Sequence, residues 1–304
     1  MAVITTAQHP KLLWPGIKEI WGDAWYKEHA EQYSRIFMLE TSRQHFEEFQ
    51  GITGFGLVPE KTQGGALVYD TEQQGYSQRF THTAFSLGYV VTKEELDDNL
   101  YLKVSSARSK NLARSGRQTI ETVAFNHLNR AFNSSYTWAD GKEMCATDHP
   151  NVNGGTWSNE LATAADLSET AVEDLCIQIM GATDDRGLKA NISPKCLVVS
   201  TNDSFNSIRI MKSQLQNDTA NNAINALKYE GAISDRLVSN YLTDTDAWFI
   251  TTDAPEGLKF IWRVKPEFDK DDDFSTKNLL ASMYMRFSSG IVDARGIYGT
   301  PGAA

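Results

Sequence analysis

Proline is scarce, 8 in 304 residues, and none falls between Pro59 and Pro150. Nothing in that stretch forbids a long uninterrupted helix. Cysteine is scarcer. Cys145, Cys176 and Cys196 are an odd number without a CxxC pair, which argues against a disulfide framework or a thiolate zinc site and points to a reducing compartment. No stretch approaches the ~18 consecutive apolar residues of a membrane span. The opening MAVITTAQHPKLLWPG has neither a basic start nor a signal-like apolar run, so the expectation is a chain that neither crosses a membrane nor is exported by a signal peptide. Basic residues are the minority, 29 against 39 acidic, for a formal charge of -10. That sign does not suit a tight grip on a phosphate backbone. P-loop, GxSxG, HExxH, HxE with PCxxC, and EF-hand patterns are all missing, which lowers the expectation of an enzyme.

What remains is an ordinary globular composition, 41% hydrophobic and 22% charged, sufficient for one large or two medium domains. Residues 1–50 read as an arm with helical pieces: Ile17, Ile20, Trp21 and Trp25 recur at helical spacing, and Ile36, Phe37 and Leu39 follow. Glycines at 51, 54, 56, 64, 65 and 75 surround two strand-like runs, Ala66–Tyr69 and Tyr76–Phe80. A two-stranded ribbon of that size is marginal alone. Phe85, Leu87, Tyr89 and Val91 alternate as a strand. Thr92 and Glu95 then form a capping box opening a helix predicted from Lys93 to about Phe132. Gly116 is its weak point, a bend or a close contact. Forty residues would span roughly 60 Å, more than the ~50 Å diameter of a compact globule of this length. The expectation is an elongated body built on a spine.

Beyond a polar loop an α/β pattern begins, with a helix at Ser168–Met180, a strand at Cys196–Ser200 and a helix at Asp203–Leu215. Asn217–Tyr241 reads as irregular. Strands follow at Trp248–Thr252, Leu258–Val264 and Leu279–Phe287, the last two joined by an acidic connection with Glu267, Asp269 and Asp271–Asp273.

The candidate chemistry is thin. His149 follows Asp148, and a carboxylate can orient an imidazole; without a nucleophile or a second ligand, a structural hydrogen bond is the default. No His pair at i, i+4 offers a helical metal site. Asp271, Asp272 and Asp273 lack the alternating ligand spacing of a cation loop and suit basic partners in a symmetric assembly better. Lys103, Lys110, Arg114 and Arg117, separated by 7, 4 and 3, fall along one stripe of the spine. That stripe is either a solvated face or a meeting point with acidic groups of a neighbour or with packaged nucleic acid. Trp21 and Trp25 sit before the core, where a neighbouring subunit is one candidate cover.

Several stretches together resemble a family. They are Glu60-Lys61 with Val68-Tyr69-Asp70, Phe80-Thr81-His82 through Glu94-Glu95-Leu96-Asp97-Asp98, Thr147-Asp148-His149-Pro150 with Gly154-Gly155-Thr156, and Asp184-Asp185-Arg186-Gly187-Leu188. Pro194-Lys195 with Leu197-Val198-Val199, Thr219-Ala220-Asn221-Asn222, Tyr241-Leu242-Thr243-Asp244 with Asp246-Ala247-Trp248-Phe249, and Arg295-Gly296-Ile297-Tyr298-Gly299 continue the likeness. From about residue 35 to 302 the chain resembles the major capsid (head) proteins of tailed bacteriophages, with the HK-ninety-seven-like fold, and most closely the Mu-like major head subunits.

The resemblance implies an α+β fold with an N-terminal arm (1–50), an extended β-hairpin loop (51–82), a peripheral domain with a long spine helix (83–134 and 258–304) and an axial α/β domain (135–257). It implies a structural subunit that self-assembles into hexamers and pentamers of an icosahedral head enclosing double-stranded DNA, with no cofactor and no metal. Portal, scaffold and decoration or cement proteins are the expected partners, alongside weak non-specific contact with DNA and no membrane. The expected location is the virion, after assembly in the host bacterial cytoplasm. Any scaffold is expected to be a separate protein, and no lysine–asparagine crosslink is expected. Contacts between subunits are expected at Trp21, Trp25, Glu60, Lys61, Tyr69, Lys103, Lys110, Arg114, Arg117, Asp271, Asp272 and Asp273. The rivals are an encapsulin-like nanocompartment shell and a soluble hydrolase using His149 and Asp148.

Overall fold

A computed structural model describes residues 14–27, 31–97, 101–216 and 223–303. In chain order, α1 (Trp14–Lys27) and α2 (Tyr33–Ile36) precede β1 (Met38–Thr41) and β2 (Phe46–Ile52). An irregular stretch then reaches β3 (Gln74–Thr81) and β4 (Thr83–Val91). The spine follows as α3 (Lys93–Asp97) and α4 (Tyr101–Asn129), with 98–100 outside the described residues. Thr92 Oγ1 caps it by accepting from the Glu95 N–H, and Arg108 pairs with Glu95 at 3.0 Å to tie α3 to α4. The 29 residues of α4 span about 44 Å, so the predicted spine is present but stops at Asn129, short of Phe132.

β5 (His149–Pro150) and β6 (Thr156–Trp157) make a small hairpin. After it come α5 (Glu169–Gly181), β7 (Pro194–Val199), α6 (Ser204–Lys212), α7 (Ala226–Glu230), β8 (Asp235–Val238) and β9 (Trp248–Thr252). The long strands β10 (Leu258–Asp272) and β11 (Leu279–Ile291) and a final β12 (Ile297–Thr300) complete the chain. Two four-stranded sheets result, ordered β1-β10-β11-β4 and β12-β9-β7-β8.

The first sheet rests one face on the spine. Leu279, Ala281, Met283, Met285 and Phe287 alternate along β11 and are all buried, the period-two pattern of a strand with one wet face. Phe287 stacks on Phe85 and Phe260, each at 4.8 Å. Gly116 is a close contact, not a bend. A Cβ there would come within 2.8 Å of Trp25 Cζ3 and would also strike Met283, so only glycine lets α1, α4 and β11 approach at this point.

The second sheet is buried on both faces. Leu197, Val199, Trp248, Ile250 and Tyr298 face a core with α5, while Cys196, Val198 and Phe249 face the core that contains Phe125 and Leu128 of α4. All three cysteines are free and buried, and burial pushes the Cys176 and Cys196 thiols up to about 11 and about 12.

Four expectations change here. The ribbon pairs β3 with β2, Phe46 opposite Thr81 and Gln50 opposite Ser77, and residues 66–69 form no strand. The phenylalanines of β2 stand at 46 and 49, out of strand period, so alternation did not show. The acidic connection is strand: β10 runs through Glu267, Asp269 and Asp271, which point outward while Phe268 is buried. Part of the supposedly irregular Asn217–Tyr241 stretch is α7 and β8. Two pieces of chain also belong to sheets their sequence positions did not suggest. β1, from the supposed arm, pairs in parallel with β10, and β12 crosses to the second sheet beside β9.

His127 on the spine gives a pH prediction. Its Nε2 lies 2.9 Å from Ser289 Oγ, and burial, aided by nearby Arg130, lowers its folded pKa from 6.5 to about 4. The unfolded chain therefore binds the proton more readily between these values. Stability is complete above pH 6.5 and falls by about 3 kcal/mol as pH drops toward 4. In denaturant titrations across that window, His127→Gln should flatten the slope; an unchanged slope would assign the effect elsewhere.

Candidate functional site

His149 lies at the bottom of the β5–β6 hairpin with 0% exposure. Its Nδ1 is 2.5 Å from Asp140 Oδ2, its Nε2 is 3.0 Å from Asn159 Oδ1, and its ring stacks on Trp157 at 4.8 Å. Asp148 pairs instead with Lys142. The Asp148–His149 couple of the hydrolase reading is therefore not formed, because the hairpin turns the imidazole inward and leaves Asp148 outside. Both ring nitrogens are engaged within the chain, and the ring is buried.

This cluster is a brace. The two Nδ2 hydrogens of Asn159 are shared among the carbonyls of Met144 (2.8 Å), Ala294 (3.1 Å) and Ile297 (3.0 Å), and Oδ1 accepts from the Ala146 N–H at 2.8 Å. Beside it Arg295 donates to Thr183 O, pairs with Asp185 at 2.9 Å, and lies 4.5 Å from the Trp157 ring. Together they tie the loop after the spine to the crossing between the two sheets. A lone asparagine in Trp157-Ser158-Asn159 carries no sequence signal for this.

The expected contact residues separate into hidden and open sets. Trp21 and Trp25 are hidden: they stack on each other at 5.3 Å, Trp21 stacks on Phe268 at 5.5 Å, and both are buried by their own chain. The expectation that a neighbour covers them is corrected; α1 finds its apolar surface on α4 and β10. Trp21→Ala should accordingly destabilise the isolated subunit by ~3–5 kcal/mol, read as a lowered midpoint in chemical unfolding. An unchanged midpoint would contradict the packing.

Arg117 is buried too, 6.0 Å from the Trp25 ring. It neighbours Glu121, whose carboxylate accepts the Gln32 and Tyr33 N–H groups at 2.8 and 3.0 Å. The segment beside α1 covers this end of the stripe, and among its described side chains Lys110 and Arg114 remain exposed. The Lys103 side chain lies outside those described. Asp273 is occupied as a turn brace: it accepts from Ser275 N and Oγ and from Thr276 Oγ1, at 2.9, 2.7 and 2.6 Å, and these bonds hold its carboxyl down to about 2. Asp271 and Asp272 are exposed on the hairpin beside it.

Glu60, Lys61 and Tyr69 all lie exposed on the irregular stretch between β2 and β3. Apolar side chains accompany them in water: Val58 is 94% exposed, Tyr69 88% and Leu57 82%. The root of this stretch is clamped. Arg186 Nη1 donates to Gly54 O (3.0 Å) and Thr71 O (2.8 Å), and Nη2 donates to Asp70 Oδ1 (3.0 Å). Asp70 also accepts the Gly56 N–H at 2.8 Å; that bond, the Thr71 N–H and the guanidinium hold its carboxyl below the usual range. Asp70 and Arg186 stand in two of the recognised strings, yet nothing in the strings said that they meet.

The stretch is thus anchored at its root, and its apolar tip is left uncovered by its own chain. The family model described as phage capsid protein matches residues 75–300. The chain belongs to the phage capsid protein family. Its fold is shared by the procapsid of bacteriophage JBD30, at 15% identity and TM-score 0.53, over 98% of this capsid protein and 76% of that chain. The capsid of a native GTA particle matches at 14% identity and TM-score 0.54, over 91% and 93%. A virus-like particle from Pyrococcus furiosus matches at 11% and 0.53, over 94% and 98%. No curated protein matches the chain. The expected α+β, HK-ninety-seven-like capsid fold is the observed one, and the chain is a structural major capsid subunit of the tailed-phage type. No group of His, Cys, Asp or Glu among the described residues is arranged to hold a metal ion.

Proposed function

We propose that this capsid protein closes an icosahedral shell as hexamers and pentamers around double-stranded DNA, residing in the virion after assembly in the bacterial cytoplasm. The observation that carries the proposal is the irregular stretch 53–73, whose apolar side chains its own chain leaves uncovered. In this proposal the stretch lies across an adjoining copy, the spine and first sheet form the peripheral body, and the second sheet with α5 and α6 forms the axial body. The charge of -10 keeps the lining from gripping DNA, so contact with the genome is loose and filling and ejection are unimpeded. Portal, scaffold and any cement protein are further partners of this reading. The nanocompartment alternative is not favoured, since the family match is to phage capsid proteins and the Pyrococcus furiosus particle shares the fold alone. Negative-stain microscopy of the expressed chain, alone and with its neighbouring genes, tests the proposal. Uniform closed particles are expected; a stable monomer under every assembly condition would overturn it.

A further inference from the structure

Resting on that reading, we propose that the ring contact between adjacent copies pairs the outer face of α5 in one copy with the outer face of α6 in the next. Both helices cover the second sheet and both leave an amphipathic face unpartnered. On α5, Leu175, Cys176 and Ile179 turn inward, while Ile177 and Met180 are exposed at the helical spacing of a single strip. The strip is acidic at its other end. Asp174 is exposed, and Glu173 lies beside it with its carboxyl pushed up by burial and by the Glu169 and Asp174 charges.

On α6, Ser207 and Ile210 turn inward, whereas Phe205 is 74% exposed and Ile208 is exposed one turn further on. This strip is basic. Arg209 and Lys212 are exposed, and neither has an ion pair among the described residues.

Each strip thus offers apolar side chains with charge of one sign, and the signs are opposite. Pairing α5 with α5, or α6 with α6, sets like charges against each other; pairing α5 with α6 sets opposite charges together and covers Phe205, Ile208, Ile177 and Met180. Charge of this kind selects register and partner more than it adds affinity. The two faces also sit over different parts of the layer. α5 packs on β12 and β7, while α6 is tied to β8 through Arg236, whose Nη1 donates to Ser204 O and Ser207 Oγ at 2.8 and 2.9 Å. A contact between two different patches of the same chain is heterologous, and a heterologous contact whose rotation divides a full turn closes a ring. That is the geometry a pentamer or hexamer requires.

Charge exchange tests the pairing. Arg209→Glu with Lys212→Glu should cut particle yield about tenfold or more, as should Glu173→Lys with Asp174→Lys, and the four changes combined should restore assembly. Without rescue the pairing is wrong. Cysteine capture is the second arm, with little background because the native cysteines are buried. Oxidised particles carrying Ile177→Cys and Ile208→Cys together should give a reducible ladder of covalent oligomers on gels. Dimers from either single variant would show α5–α5 or α6–α6 contact and overturn the proposal. Wild-type particles with neither ladder nor rescue would remove this contact while leaving the capsid reading intact. Failure of the wild-type chain to assemble at all would remove both.

Discussion

Asn159→Leu is expected to cost ~4 kcal/mol, a large share of the ~5–15 kcal/mol that holds a domain folded. The reason is accounting of polar groups. Asn159 is 0% exposed and satisfies the carbonyls of Met144, Ala294 and Ile297, the Ala146 N–H and one His149 nitrogen. A leucine has the same branching but is bulkier and can make none of these bonds; the Ala294 carbonyl keeps the Ile297 N–H, whereas each other group left buried and unmet costs about 1–3 kcal/mol. Local relaxation and entering water recover part of the sum. Thermal or urea unfolding of the dissociated subunit measures it. A loss under ~1 kcal/mol would mean that water replaces the amide and that the brace is dispensable. His149→Phe, which keeps the stack on Trp157 but deserts Asp140 and Asn159, should weaken the subunit by a smaller margin.

Changing Leu57, Val58 and Val68 together to aspartate should have the opposite profile. These side chains are 82%, 94% and 73% exposed, so the isolated subunit gains or loses little, within ~0.5 kcal/mol per site. Assembly should fail. Covering three such side chains at a contact is worth roughly 1.5–3 kcal/mol each, and burying a carboxylate in their place is penalised by several more. Because every copy in a shell repeats the contact, particle yield should fall by well over tenfold while the unfolding midpoint stays within error. Normal particles from the triple variant would show that the stretch covers nothing. A lowered midpoint would show that it packs on its own chain. Arg186→Ala releases the root of the same stretch, and an intermediate fall in yield is expected from it.

Elements with clear periodicity were legible from residue order alone. β9 falls on Trp248–Thr252 as expected, and α5 starts after Ser168, whose hydroxyl accepts from the Ala171 N–H at 3.2 Å. The spine declared itself through Thr92 and Glu95 and through the long proline-free stretch. What was illegible is what depends on distant pairing. Glu267, Asp269 and Asp271 look like a solvated turn until Leu279–Ile291 is known to lie alongside and to take Phe268 and Met283 into one core. Trp21 and Trp25 have the composition of a partner surface and became core because Gly116 lets α1 settle on the spine. Of the contact residues, Glu60, Lys61, Tyr69, Lys110, Arg114, Asp271 and Asp272 are exposed, whereas Trp21, Trp25 and Arg117 are buried and Asp273 braces a turn. Asn159 reaches Ala294 and Ile297, and Arg186 reaches Gly54, Asp70 and Thr71, all more than a hundred residues away in sequence. No local pattern encodes such contacts.

The central claim is that residues 53–73 remain open in the single subunit and are covered by another copy in the assembled shell. Hydroxyl-radical footprinting of Tyr69 and Leu57, compared by mass spectrometry between dissociated subunits and closed particles, tests it directly. Strong labelling of the subunit and at least ~tenfold protection in the particle are predicted. Equal labelling in both states would contradict the account.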